Sequence, residues 1–207
     1  NDGEHVVVYG DVSGKSISGA LMMMAAHEVL NSVALAHPEP EKLLRLANER
    51  LYALRGTRKR TEIQGGSFVA LGYLGFRAGE GVFSYTLAGQ PPPMVRRQSG
   101  DIECLEMPNH RLPLGAMRVG GHQMMECELE AGDLIVAYSD GVVEAQSPTG
   151  DFFGEERLAL SLADAPADPQ GAVNFLLEEI EAFTCGHTPY DDVTLLAASW
   201  SANDKSA

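Results

Sequence analysis

An α+β fold, with helices covering a mainly antiparallel sheet or sandwich, is predicted by three features of the sequence. Segments with helical spacing of apolar residues lie toward both ends of the chain, a middle stretch breaks into short apolar runs between Gly and Pro, and the two patterns stay segregated. The first strand is VVVY at 6–9. Residues 17–36 predict a helix in which Leu21, Met24, Ala25, Val29 and Leu35 recur near helical spacing, with Pro38 and Pro40 ending it. A second helix covers about 41–54. The run Met22, Met23, Met24 has the softness of a binding face but reads as partly core. Arg55, Arg58, Lys59 and Arg60 form the basic cluster, read as a solvated loop with a docking patch for an acidic partner as the alternative. From Gly66 onward, strands are expected at 67–74, 82–87, 94–97, 102–105, 123–129 and 134–138, as an antiparallel meander. Helices return at about 155–163 and 169–183, before a last strand at 193–199. No internal repeat is visible, and 201–207 read as a disordered tail.

At 207 residues the chain is long enough to bury one sizeable core, so a single domain over 1–200 is expected. The sequence begins at Asn1 almost directly on a strand, which suggests a piece of a longer protein lacking its N-terminal strands. The longest uninterrupted apolar stretches fall short of the roughly 20 residues of a spanning helix, and no signal peptide opens the chain, so no membrane span is expected. A formal net charge of −14, from 15 basic and 29 acidic residues, argues against nucleic acid and anionic membranes as partners. The three cysteines, Cys104, Cys127 and Cys185, form no close-spaced pair; they read as buried small hydrophobes in a reducing cytoplasm.

Three acidic motifs carry the chemistry: GDVSG at 10–14, YSDGVVEA at 138–145 and YDDVTLL at 190–196. Each sets an Asp at the edge of an apolar run, and each alone is ordinary turn chemistry. Together they can bring Asp11, Asp140 and Asp191 to one site. Ionised carboxylates do not share a low-dielectric pocket unless something positive holds them. Oxygen donors of this kind suit Mg²⁺ or Mn²⁺, not Zn²⁺, which recruits His and Cys. The sequence VVVYGDVSGKS at 6–16 is also a near miss to a phosphate-binding P-loop, and LIVAYSD at 134–140 to its acidic partner strand. Only three residues separate Gly10 from Gly14, where that loop needs four to wrap its amides around phosphate, and Asp11 inside the loop would repel one.

In order and spacing, GDVSGKS at 10–16, AGQPPP at 88–93, PLG at 113–115, GDLIVAYSDGVVEA at 132–145, FGEERL at 153–158 and DDVTLL at 191–196 resemble the SpoIIE-like branch of the metal-dependent protein phosphatases, bacterial relatives of protein phosphatase type 2C. The resemblance runs from about Val6 to Ser199. It implies an antiparallel β-sandwich flanked by helices in αββα layers, with two Mn²⁺ or Mg²⁺ ions at one edge. By position, Asp11 would bridge both ions, the backbone carbonyl of Val12 would bind one, and Asp140 and Asp191 would complete the protein ligands, with Asp192 beside them. The implied activity is hydrolysis of phosphoserine or phosphothreonine in proteins by direct attack of a metal-activated water. Implied partners are a phosphoprotein of the anti-sigma-factor-antagonist kind and a preceding sensor or receiver domain; a homodimer is admitted.

Around these ligands, Gly10 and Gly14 would let backbone approach the ions and Gly141 would let the chain turn after Asp140. Ser13, Lys15 and Ser16 would touch substrate or shape the loop, and His187 reads as a loop histidine able to face the site. The pattern departs from the family in three places. A further acidic residue within a Gly-Gly-Asp sequence upstream lies outside this chain. Ser13 stands where eukaryotic relatives carry a His that is a candidate general acid, so no proton donor is named. Gln90 stands where many relatives carry His before the three prolines, with a structural effect expected. The alternative to an active phosphatase is a pseudophosphatase that keeps the fold as a partner-binding module.

Overall fold

The computed structural model describes residues 4–14, 17–36, 39–56, 68–77, 79–107, 109, 111–187 and 190–201. The elements run β1 (Glu4–Val12), α1 (Ile17–Ala36), α2 (Pro40–Gly56), β2 (Val69–Arg77), β3 (Val82–Ala88), β4 (Met94–Arg96), β5 (Ile102–Cys104), β6 (Met125–Glu128), β7 (Leu134–Tyr138), α3 (Asp140–Val143), α4 (Gly154–Asp164), α5 (Pro169–Thr184) and β8 (Leu195–Ser199). They build two four-stranded antiparallel sheets, ordered β1-β2-β3-β6 and β5-β4-β7-β8. The simple meander expected from the strand spacing is therefore replaced by two sheets, because β3 pairs with the distant β6, Val82 opposite Glu128, and β4 pairs with β7, Met94 opposite Val136.

Strand alternation sorts the side chains into four layers. Tyr9, Leu74, Phe83, Tyr85 and Leu87 of the first sheet pack between the sheets against Val95, Ile135 and Ala137 of the second. The opposite face of the first sheet, with Leu71, Tyr73 and Ala88, meets Ala26, Val33, Leu44 and Leu51 of α1 and α2. The outer face of the second sheet, with Met94, Leu134, Val136 and Tyr138, meets Leu158, Leu162, Ala172, Leu176 and Ile180 of α4 and α5. All five residues of β7 are buried, which explains why LIVAY is apolar without alternation. This is the αββα sandwich that the sequence resemblance implied.

Several local expectations change. Helix α1 buries Gly19, Ala26 and Val33, while Leu21, Met24 and Leu35 are exposed, Leu35 at 91%. The helix carries a single charged residue, Glu28, so it has no polar face to orient it; of the expected apolar stripe, Val29 packs against the core and Ala25 is half-buried. Met22 packs against the core, but Met23 and Met24 are exposed. Among the described residues, α1 is the one helix long and apolar enough to cross a membrane, with a mean hydropathy of 1.3. Its apolar run is broken by Gly, Ser, His, Asn and the single charged residue Glu28. In this fold α1 packs on α2 and β1. Cys127 is buried as expected, but Cys104 and Cys185 are exposed; Cys185 takes a left-handed conformation, φ 52°, as the C-cap of α5. Lys15, Ser16, Arg58, Lys59, Arg60 and 202–207 lie outside the described residues.

A buried ion pair ties the sandwich together away from its acidic end. Asp133, before β7, accepts from Arg97 Nη1 at 2.7 Å and from the backbone N–H groups of Gln98 and Glu130, each at 3.0 Å. Burial pushes the Asp133 carboxyl up, but the Glu130 amide, the Arg97 guanidinium and the Gln98 amide together hold it below its ordinary 3.8. A carboxyl lowered on folding contributes stability above its unfolded value and loses it as pH falls through the folded one. Asp133→Asn is expected to cost roughly 2 kcal/mol at neutral pH, with the gap from the parent chain closing as pH falls below 3.8, as denaturant titration across pH would show.

Candidate metal centre

The acidic residues are placed by backbone pairing before any charge is considered. Asp11 sits one residue from the end of β1, opposite Ala70 of β2, on the same strand face as the buried Tyr9. Val12 ends the strand opposite Val69. The following turn is pinned by Ser13, whose N–H donates to the Phe68 carbonyl at 3.0 Å and whose Oγ accepts from the Phe68 N–H at 2.9 Å. The Ser13 hydroxyl thus shapes the loop. Gly14 takes a positive φ of 102°, the turn conformation that favours glycine.

Asp140 and Asp191 reach the same end of the sandwich through the β7–β8 pair, in which Tyr138 lies opposite Leu195. Ser139 fastens the two exits. Its N–H donates to the Thr194 carbonyl at 3.0 Å, its Oγ donates to the Asp192 carbonyl at 3.1 Å, and the same Oγ accepts from the Thr194 N–H at 2.9 Å. Asp140 then opens the four-residue helix α3, an element that the strand-and-turn reading missed. Gly141 is required by contact and not by a sharp turn: a Cβ there would fall 2.4 Å from the Asp192 carbonyl oxygen. At Gly10, likewise, a Cβ would fall 2.6 Å from the Ala70 carbonyl oxygen, so that glycine permits close strand approach.

Two backbone amides orient the carboxylates. Asp140 Oδ1 accepts from the Gly141 N–H at 2.9 Å, and Asp191 Oδ1 accepts from the Asp192 N–H at 3.1 Å. Burial pushes the Asp11 carboxyl above its ordinary range; a hydrogen bond from the Val12 backbone opposes this, and the charges of Asp191, Asp140 and Asp192 push it further up. The four acids therefore share one electrostatic neighbourhood. Among the described residues no three His, Cys, Asp or Glu side chains close into a cage, so the carboxylates gather without converging. Like charges hold apart in that way unless a cation lies between them. The donor chemistry, carboxylates of Asp11, Asp140 and Asp191 with the Val12 carbonyl on the same strand end as Asp11, is of the kind a hard divalent cation takes.

Ser139 escaped the sequence reading; its signal was a hydroxyl residue directly before the Asp of a strand-end motif, matched by Thr194 after the second Asp pair. Ser139→Ala is expected to lower Mn²⁺ affinity roughly tenfold to a hundredfold, the usual effect of removing a group that orients metal ligands. Calorimetric Mn²⁺ titration checks this. Gln90 is 1% exposed, and neither polar atom of its amide has a hydrogen-bond partner among the described residues. His187 is exposed and lines a groove beside the acidic end. The P-loop reading fails on topology: among the described residues every pair of named strands is antiparallel, and β1 opens no parallel β-α-β unit.

The chain is similar to the phosphoserine phosphatase RsbU of Bacillus subtilis, 25% identical over 144 residues that make up 70% of this chain and 40% of RsbU. It thus spans less than half the length of the curated relatives it matches. The SiaA-PP2C domain of Pseudomonas aeruginosa has the same fold, with a TM-score of 0.77 at 18% identity, covering 96% of this chain and 80% of that one. So does the manganese-presoaked phosphatase domain of the cell fate determinant SpoIIE from Bacillus subtilis, with a TM-score of 0.56 at 19% identity over 86% of this chain and 72% of that one. Residues 1–201, which include all three acidic motifs, match the family model of stage II sporulation protein E, and the chain belongs to the SpoIIE family.

Proposed function

We propose that this domain is a Mn²⁺- or Mg²⁺-dependent phosphoserine/phosphothreonine protein phosphatase of bacterial signalling. The observation that carries the reading is the gathering of Asp11, Asp140, Asp191 and Asp192 at one sandwich end, where mutual repulsion and burial already raise the Asp11 carboxyl. Asp11, Asp140 and Asp191, with the Val12 carbonyl, would hold two divalent ions. When bound, such a pair supplies an acidified water as nucleophile and offsets charge on the phosphoryl oxygens. The chain's own work is positional. Ser139 holds the Asp140 and Asp191 segments in register, and the Gly141 and Asp192 amides aim their carboxylates. Ser13 Oγ accepts from the Phe68 N–H, and a neutral serine hydroxyl is a weak acid, so the proton for the leaving serine oxygen comes from another donor or from solvent. The likeness to the phosphoserine phosphatase RsbU supports a phosphoserine substrate, which we place in a phosphoprotein of the anti-sigma-factor-antagonist class. A preceding regulatory domain is proposed by analogy with SpoIIE, whose phosphatase domain is accompanied by a fragment of one.

The alternative is a pseudophosphatase that binds a partner without turnover. Phosphate release from a phosphoserine protein, by the parent protein with added Mn²⁺ or with chelator, separates the two. Release that depends on Mn²⁺ is the expected result. A folded protein that releases none under either condition supports the binding module.

A further inference from the structure

A groove of about 610 Å³ opens next to the acidic cluster, in the size range of ligand sites. One wall is the turn that follows α3, with Gln146, Ser147 and Thr149; the other is the end of α5 and the chain leading to Asp191, with Thr184, His187 and Tyr190. Tyr190 is the residue immediately before Asp191, so the groove begins where the acidic site ends. None of the described lining residues is Lys, Arg, Asp or Glu. Among the described lining residues a phosphate or nucleotide meets no Lys or Arg, and a basic side chain no carboxylate. Hydroxyls, an amide, an imidazole and a phenol instead match the neutral donors and acceptors of an extended polypeptide.

Both walls are set before anything binds. Ser147 N–H donates to the Asp151 carbonyl at 2.9 Å, Gly150 N–H to the Ser147 carbonyl at 2.9 Å, and Asp151 N–H to Ser147 Oγ at 3.1 Å. Thr149 Oγ1 bridges the turn, 2.8 Å from Ser147 Oγ and donating to Asp151 Oδ2 at 2.7 Å. Phe153 N–H donates to the Ala145 carbonyl at 2.8 Å, closing the base of this loop, and on the other side His187 N–H donates to the Thr184 carbonyl at 3.1 Å. Tyr190 is 76% exposed and offers a broad ring at the junction with the acidic site. Tyrosine in such a place supplies contact area at small entropic cost.

We infer that this groove is a substrate-docking site that takes the polypeptide flanking the phosphorylated residue, so that the enzyme reads a segment of its phosphoprotein and not the phosphoryl group alone. The inference rests on the phosphatase reading above and deepens it. In the parent protein with Mn²⁺, KM for phosphoserine peptides extended by six residues on one side should fall about tenfold below that for free phosphoserine. Thr149→Trp, which fills the groove from an exposed turn, should erase that advantage while leaving kcat/KM for p-nitrophenyl phosphate within about twofold. Tyr190→Ala should weaken the preference in the same direction, and thermal melting of both variants verifies their folding. A wild type indifferent to peptide length, or variants that lower both substrates equally, overturns the docking site. Should no substrate turn over, binding of the same fluorescent peptides decides: length-dependent binding lost in Thr149→Trp retains the groove and sinks the phosphatase reading, and absence of binding sinks both.

Discussion

Asp140→Asn is expected to lower Mn²⁺-dependent phosphate release at least a hundredfold, while the stability of the metal-free protein stays unchanged or rises. The two halves of this expectation have one cause. Asp140 stands at the start of α3, fixed by Ser139 on one side and by the Gly141 contact with Asp192 on the other, and its charge is one of three that push the Asp11 carboxyl up. Without a cation that charge is repulsive, so neutralising it relieves the cluster. With a cation it is a ligand, and losing a ligand exceeds the roughly tenfold to hundredfold loss from disturbing a group behind one. The neutral Asn still accepts the Gly141 amide bond at its side-chain oxygen, so local geometry is retained. Activity at saturating Mn²⁺ and thermal melting in chelator test the two halves separately. A fully active Asp140→Asn protein would remove Asp140 from the metal centre.

The fold class and the acidic triad were legible because both are written locally. Gly and Pro break the middle of the chain into strands, and each Asp sits visibly at a strand edge. What was illegible is written across distance. Nothing near Val82 announces Glu128 as its partner, so the division into two sheets could not be read from strand spacing. Helix α1 is apolar nearly all round, and without a polar face its periodicity pointed to Leu21, Met24 and Leu35, which are exposed, over Ala26 and Val33, which are buried. Helix α3 is a single turn, too short for any periodicity, and its first residue is the Asp that the motif displays. Ser139 reads as a strand-end polar residue until Thr194 is placed opposite it. The groove joins the 146–150 turn to 184–190, segments that no local pattern relates.

The second large effect lies away from the chemistry. Arg96→Ala is expected to destabilise the chain by about 3 kcal/mol or more. Arg96 is a charged side chain on β4, 9% exposed, paired with Leu134 and Ile102 in the sheet and lying on the face that packs α4 and α5. Its Nη1 donates to the Leu162 carbonyl at 3.1 Å and also to the Ala165 carbonyl, and its Nη2 donates to the Pro166 carbonyl at 3.0 Å. The Leu162 carbonyl also accepts the Ala165 N–H that caps α4, while the Ala165 and Pro166 carbonyls lie where the chain leaves the helix. A guanidinium there satisfies several at once and meets the negative end of the helix dipole. Truncation takes the Arg96 donor from the Ala165 and Pro166 carbonyls, each costing about 1–3 kcal/mol when left unpaired. It also opens a cavity beside Met94 and Leu162, whose side chains belong to the same core. For a chain of this length, 3 kcal/mol corresponds to a fall of roughly 6–12 °C in melting temperature. Arg96→Lys distinguishes charge from geometry: one ammonium cannot span three carbonyls in the planar fork that Arg presents, so most of the loss should remain. Because Arg96 pairs with Leu134 at the start of β7, the opposite end of that strand from Asp140, the Mn²⁺ affinity of the folded fraction should be unchanged. A parallel loss of stability and metal affinity would mean instead that the two ends of the sandwich unfold as one unit.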